Sequence, residues 1–153
     1  MIYVISGMCR TGTSMMMHAL IKGGIPAIYD IGKSDARLLY LKKSGYDSNP
    51  DGLFELYKSN LMERFPDDLD GEVVKIHDQQ WEALKDKQAQ NGLFVIYMLR
   101  DKESVLQSYA AFTGSTDLTE ISERYDNQLS IIDSIQARPD VTYLFKLNYE
   151  AVV

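Results

Sequence analysis

Along the chain, short apolar runs alternate with stretches in which apolar residues recur every three or four positions. That alternation predicts an α/β domain with a mostly parallel sheet. Ile2–Ile5 is the first strand, and a helix is expected from about Thr13 to Lys22. Gly23–Gly24 ends that helix, and Pro26 bars its return. Ser34 is placed to cap a second helix with Leu38, Leu39 and Leu41 inward. Asn49–Gly52 reads as a turn, and helical spacing resumes at Leu53, Leu56, Tyr57, Leu61 and Phe65. After a surface loop from Pro66 to Gly71, Val73–Ile76 is a β-branched strand and Gln79–Gln90 reads as a helix. Leu93–Leu99 is apolar on both faces, as a central parallel strand should be. A helix from Lys102 to Phe112 follows. Asp117 and Glu120 then form a candidate capping box for a helix with Leu118, Ile121, Tyr125, Leu129, Ile132 and Ile135 on one stripe. Val141–Leu147 is the last strand.

Each strand leads into a polar tip: GMCRTGTS, KIHD, RDKES and NYE. Right-handed crossovers bring all four tips to one edge of the sheet. That is the edge where open α/β sheets bind ligands.

Composition narrows the choices. A chain of 153 residues is long enough for one domain with a real core. Its net charge of −6 and the acidic stretch Glu63–Glu72 disfavour nucleic acid, which needs a positive field. An anion must therefore be held by a local pocket. No run is long and apolar enough to cross a bilayer, and Met1–Met8 reads as a buried strand rather than a signal peptide. The single cysteine, Cys9, fits a reducing compartment, so a cytoplasmic location without membrane association is expected.

The stretch GMCRTGTSM has the glycine spacing of a phosphate-binding loop. Such a turn, opening a helix, aims several backbone N–H groups at one point. Where a nucleotide triphosphatase carries lysine after the second glycine, this chain has Thr13. The cation in the loop is Arg10, whose planar fork suits a tetrahedral oxyanion. A charge-assisted bond supplies roughly 1.5–3 kcal/mol, against about 0.3–1 kcal/mol for an exposed helix-dipole contact. Arginine and amides should thus dominate the grip. Cys9 reads as a bystander, Met15–Met17 as core, and His18 as an ordinary helix residue.

Arg10–Ser14 (RTGTS) resembles the 5′-phosphosulfate loop of sulfotransferases. Arg100–Ser108 (RDKESVLQS) resembles their 3′-phosphate motif, an arginine closing a strand and a serine eight positions later. Lys75–His77 (KIH) resembles the Lys-x-His of cytosolic members, and Asn49–Glu55 an Asn-Pro-x-Gly…Glu segment of bacterial and glycan-type ones. Tyr149–Glu150 matches a common Tyr-Glu after the last strand. The matches run in order over nearly the whole chain.

The resemblance implies a three-layer α/β/α, P-loop-type domain over residues 1–153. It implies 3′-phosphoadenosine 5′-phosphosulfate as donor, a hydroxyl or amine on a small molecule or glycan as acceptor, and no metal. Arg10, Thr11, Gly12, Thr13 and Ser14 would hold the 5′-phosphosulfate, and Arg100 and Ser108 the 3′-phosphate. Ser104 shares a helix face with Ser108 and could assist. Arg10 or Lys75 would stabilise the leaving oxygen, with His77 or Glu55 as base. The chain departs from the pattern at Met15, where cytosolic members stack adenine on tryptophan, and in having no RKGxxGDWK-like segment. Two other readings are a nucleotide or small-molecule kinase using Mg-ATP, and a non-catalytic nucleotide-binding module. For the kinase, Asp78 and Asp101 are the candidate metal carboxylates.

Overall fold

The computed structural model describes residues 1–29, 56 and 58–152. The expected Ser34 helix, the Asn49–Gly52 turn and Glu55 lie outside the described residues. Five parallel strands form one sheet: β1 (Ile2–Gly7), β2 (Ala27–Ile28), β3 (Val73–His77), β4 (Leu93–Leu99) and β5 (Val141–Asn148). Their spatial order is β2-β3-β1-β4-β5. The helices are α1 (Thr13–Lys22), α2 (Lys58–Arg64), α3 (Lys102–Thr113), α4 (Thr119–Asp126) and α5 (Gln128–Gln136).

Two cores sandwich the sheet into three layers. Alternate β-strand side chains point to opposite faces. Ile5, Val73, Ile96 and Met98 meet Met17, Leu20 and Ile21 of α1 on one face. Val4, Val74, Ile76, Val95 and Tyr97 meet Leu61 and Phe65 from α2 and its end, Trp81, and Ile132 and Ile135 of α5 on the other. Beyond the carboxyl edge, Val105 of α3 and Ile121 of α4 close over Met8 of the loop. The first face is uncovered toward β5, where Tyr143 and Phe145 are 52% and 48% exposed and pack on Phe94.

Three expectations are corrected. Residues 79–90 are not an α-helix: a 3-10 turn spans Asp78–Leu84 and the chain then unwinds. Tertiary partners take the backbone groups that a helix would use. Arg138 donates to the carbonyls of Leu84 and Lys87, and Lys87 Nζ donates to those of Met62 and Phe65. The helix expected after Asp117 breaks at Asn127 into α4 and α5. There Gln128 turns its amide onto the Tyr125 carbonyl, an insertion that bends a helical ladder, and Leu129 ends up 70% exposed. Asp117 accepts from the Thr119 amide, while Leu118 holds the cap position without a side-chain bond, so the expected box does not close. A capping box forms instead at His77 and Gln80.

Candidate functional site

The loop between β1 and α1 is built from unusual backbone. Gly12 has φ 90 and stands at the N-terminal cap of α1 without a side-chain cap. Arg10 has φ 72, a left-handed conformation that costs an ordinary residue about 1–2 kcal/mol. Gly7, at φ 143, has no room for a side chain: a Cβ there would sit 2.8 Å from both the Met98 carbonyl and Thr11 Oγ1. Thr11 is buried and donates its hydroxyl to the Met8 carbonyl at 2.8 Å, bracing the turn from inside. Its side chain therefore supports the loop rather than facing a ligand.

A cavity of about 380 Å³ opens beside this loop. Arg10, Gly12, Thr13, Ser14, Arg100 and Ser108 all line it, so six of the seven residues expected to hold the nucleotide converge there. Met15 and Tyr149 complete the wall. Register explains the convergence: β4 lies beside β1, with Met98 opposite Gly7, so Arg100 emerges next to the loop. Ser108 comes from the second turn of α3. Arg10 Nε donates to Ser108 Oγ at 3.0 Å, and its guanidinium lies 4.9 Å from the Phe112 ring centre. Arg100 Nη1 donates to the Arg10 carbonyl at 3.2 Å. Arg100 Nε is buried and makes no hydrogen bond among the described residues.

Lys75, His77 and Ser104 lie outside the cavity lining. Lys75 is 2% exposed in the middle of β3, yet its Nζ reaches Ser14 Oγ at 2.8 Å. A second cation thus arrives from the neighbouring strand at the loop that lacks its own lysine. His77 is opposite Gly7 on the other flank, and its Nδ1 lies 3.3 Å from the Gly7 carbonyl. The same side chain caps the turn that follows β3, so the imidazole is held between the loop and that turn. Ser104 does not assist the cavity: its amide is capped by Asp101 at 2.8 Å. The Ser104 side chain first, and then its amide, hold the Asp101 carboxyl below its usual range.

Cys9 is half-buried beside the ion pair of Arg124 with Asp78. Burial pushes its thiol above the ordinary range, the nearby Arg124 charge pulling the other way. Asp78, 1% exposed at its side chain, is held by Arg124 at 3.0 and 3.3 Å. Among the described residues no group of three or more His, Cys, Asp and Glu is placed to hold a metal ion, and no helix is long and apolar enough to cross a membrane.

Sequence reasoning gave Tyr149 no place in the site. The Tyr149 ring packs over Gly12, where any Cβ would clash with it, and lies 4.5 Å from the Arg100 guanidinium. The Tyr-Glu pair following the last strand was the available signal.

No family model and no curated protein matches this chain. Among solved structures, a gluconokinase from Sinorhizobium meliloti 1021 is similar at TM-score 0.48 and 16% identity, covering 96% of this chain and 81% of its own. A sugar kinase from Janibacter sp. HTCC2649 is similar at TM-score 0.45 and 11% identity, covering 97% and 84%. An uncharacterized protein from Eubacterium ventriosum ATCC 27560 is similar at TM-score 0.42 and 10% identity, covering 99% and 93%.

Proposed function

We propose that this chain is a group-transfer enzyme that moves a sulfuryl group from 3′-phosphoadenosine 5′-phosphosulfate to a hydroxyl or amine. The observation that carries the reading is the Arg10–Arg100–Ser108 cavity on the glycine loop, which gathers two guanidiniums and a helix N-terminus in one space. In this reading the loop amides, Thr13, Ser14 and Arg10 hold the 5′-phosphosulfate, and Arg100 and Ser108 hold the 3′-phosphate. Sulfuryl transfer, like phosphoryl transfer, asks mainly for alignment and charge stabilisation. Arg10 and Lys75 are the cations available to the bridging oxygen as it departs. His77 sits on the flank of the loop away from Arg100, and its imidazole is the base for the acceptor's proton. Glu55 is the rival base.

The lysine-for-metal arrangement supports this reading over a Mg-ATP kinase. In magnesium-dependent loops, the hydroxyl at the Ser14 position binds the cation. Here that hydroxyl accepts from the Lys75 ammonium. Asp78 and Asp101, the carboxylates a kinase would use, are engaged with Arg124 and with the start of α3.

Calorimetry with adenosine 3′,5′-bisphosphate and with Mg-ATP tests the proposal. The bisphosphate is expected to bind without metal and to stabilise the fold by about 2.7 kcal/mol at a hundredfold excess over Kd. Arg100→Ala should weaken it about 10- to 100-fold, one or two charge-assisted bonds. Magnesium-dependent ATP binding with no bisphosphate binding would favour the kinase. Bisphosphate binding with no sulfate transfer to any of a panel of acceptors would leave a binding module.

A further inference from the structure

We infer that Glu150 sets the affinity of the Arg100 anion site, as a carboxylate that an incoming phosphate must displace. The inference rests on the nucleotide reading of the cavity and adds a residue to it. β5 ends at Asn148, and the 3-10 turn Tyr149–Ala151 brings two successive side chains to one guanidinium. Tyr149 lays its ring 4.5 Å from the Arg100 guanidinium carbon, and Glu150 Oε1 stands 3.5 Å from Arg100 Nε.

The geometry of this pair is that of an exchangeable contact. At 3.5 Å the charges attract, but Nε makes no hydrogen bond among the described residues, so the donor is not committed to Glu150. Both side chains keep some solvent, 24% for Arg100 and 42% for Glu150. Partly solvated pairs of this kind contribute modestly, up to about 1 kcal/mol. The Tyr149 ring holds the guanidinium independently, on a loop glycine that allows no other side chain. Arg100 thus stays at the cavity whether or not Glu150 remains on it.

Charge then decides what can replace Glu150. A group with one negative charge offers Arg100 no more Coulomb attraction than the carboxylate already there. A phosphate monoester near its second ionisation carries up to two charges and three acceptor oxygens. Displacing Glu150 costs every anion the same, and the exchange stays favourable for a terminal phosphate, whose own attraction to Arg100 exceeds that of one carboxylate. In a nucleotide with phosphates at both ends, this residue grades the 3′-group.

Titration calorimetry of the full chain reads this directly, using adenosine 3′,5′-bisphosphate, AMP and inorganic phosphate as probes. Glu150→Gln should bind the bisphosphate about two- to fivefold tighter, the equivalent of an exposed ion pair. AMP, which lacks the 3′-group, should bind both proteins alike, and Arg100→Ala/Glu150→Gln should bind no tighter than Arg100→Ala. Unchanged or weaker bisphosphate binding in Glu150→Gln overturns the inference, as does equal tightening for AMP. If neither protein binds any nucleotide, the nucleotide reading fails by itself, and inorganic phosphate decides the role of Glu150. Tighter phosphate binding in Glu150→Gln supports that role; equal binding, or none in either protein, overturns it.

Discussion

At the scale of single residues, Arg10 combines a conformational cost with a chemical purpose. Its left-handed backbone would suit glycine better, while its side chain reaches Ser108 and Phe112. Arg10→Gly is therefore expected to lose bisphosphate binding at least tenfold while the melting temperature stays within a few degrees, measured by calorimetry and thermal unfolding. Cys9 gives a second residue-scale expectation. A raised pKa keeps the thiol protonated, so its thiolate fraction at pH 8 falls below that of a free cysteine. Alkylation by iodoacetamide should be slower than for a model thiol, and should quicken in denaturant. Tyr97 adds a third: its hydroxyl is buried without a hydrogen-bond partner among the described residues. Tyr97→Phe removes that orphan and should leave unfolding stability unchanged or up to about 1–3 kcal/mol higher.

At the scale of elements, the central strands were readable because burial on both faces leaves an unbroken apolar run, whereas the two-residue edge strand Ala27–Ile28 carries no such run and was not foreseen. Leu93–Leu99 matches the observed strand end to end, and the first strand extends two residues past its apolar stretch to Gly7. In 79–90 the composition favours helix, but Arg138, which caps the Leu84 and Lys87 carbonyls, lies 51 to 54 residues away. No local pattern carries that information. The break at Asn127 is also silent, since apolar spacing continues across it. Arg138 is also the centre of a testable network. It pairs with Asp140 at 2.9 Å, with side-chain exposures of 11% and 3%, and Asp140 accepts from the Ala89 amide. Asp140→Ala leaves a buried guanidinium uncompensated and should cost about 3–5 kcal/mol in chemical denaturation.

At the scale of the whole molecule, the site was more legible than the elements around it. Its residues fall at strand ends, and a parallel sheet collects strand ends on one edge whatever the intervening helices do. That is why Arg10, Ser14 and Arg100 could be placed at one edge from the strand pattern, while Ser108, inside a helix, was reached through the sulfotransferase resemblance. What spacing could not supply was distance from solvent. Thr11 turns inward and Lys75 reaches Ser14 from behind the loop, outcomes set by packing depth. Tyr149 and Glu150 escaped a role because only the sheet's width places the end of β5 against Arg100.

The strand that carries the glycine loop pairs only with β3 and β4, its register running from Tyr3 to Val73 and from Ile2 to Leu93. Every neighbour of β1 is thus some seventy or more residues downstream. Large loops must close before β1 gains a single ladder bond, and such remote pairing slows the search for the native state. In refolding from denaturant, recovery of anion affinity should therefore lag behind the early return of helical ellipticity.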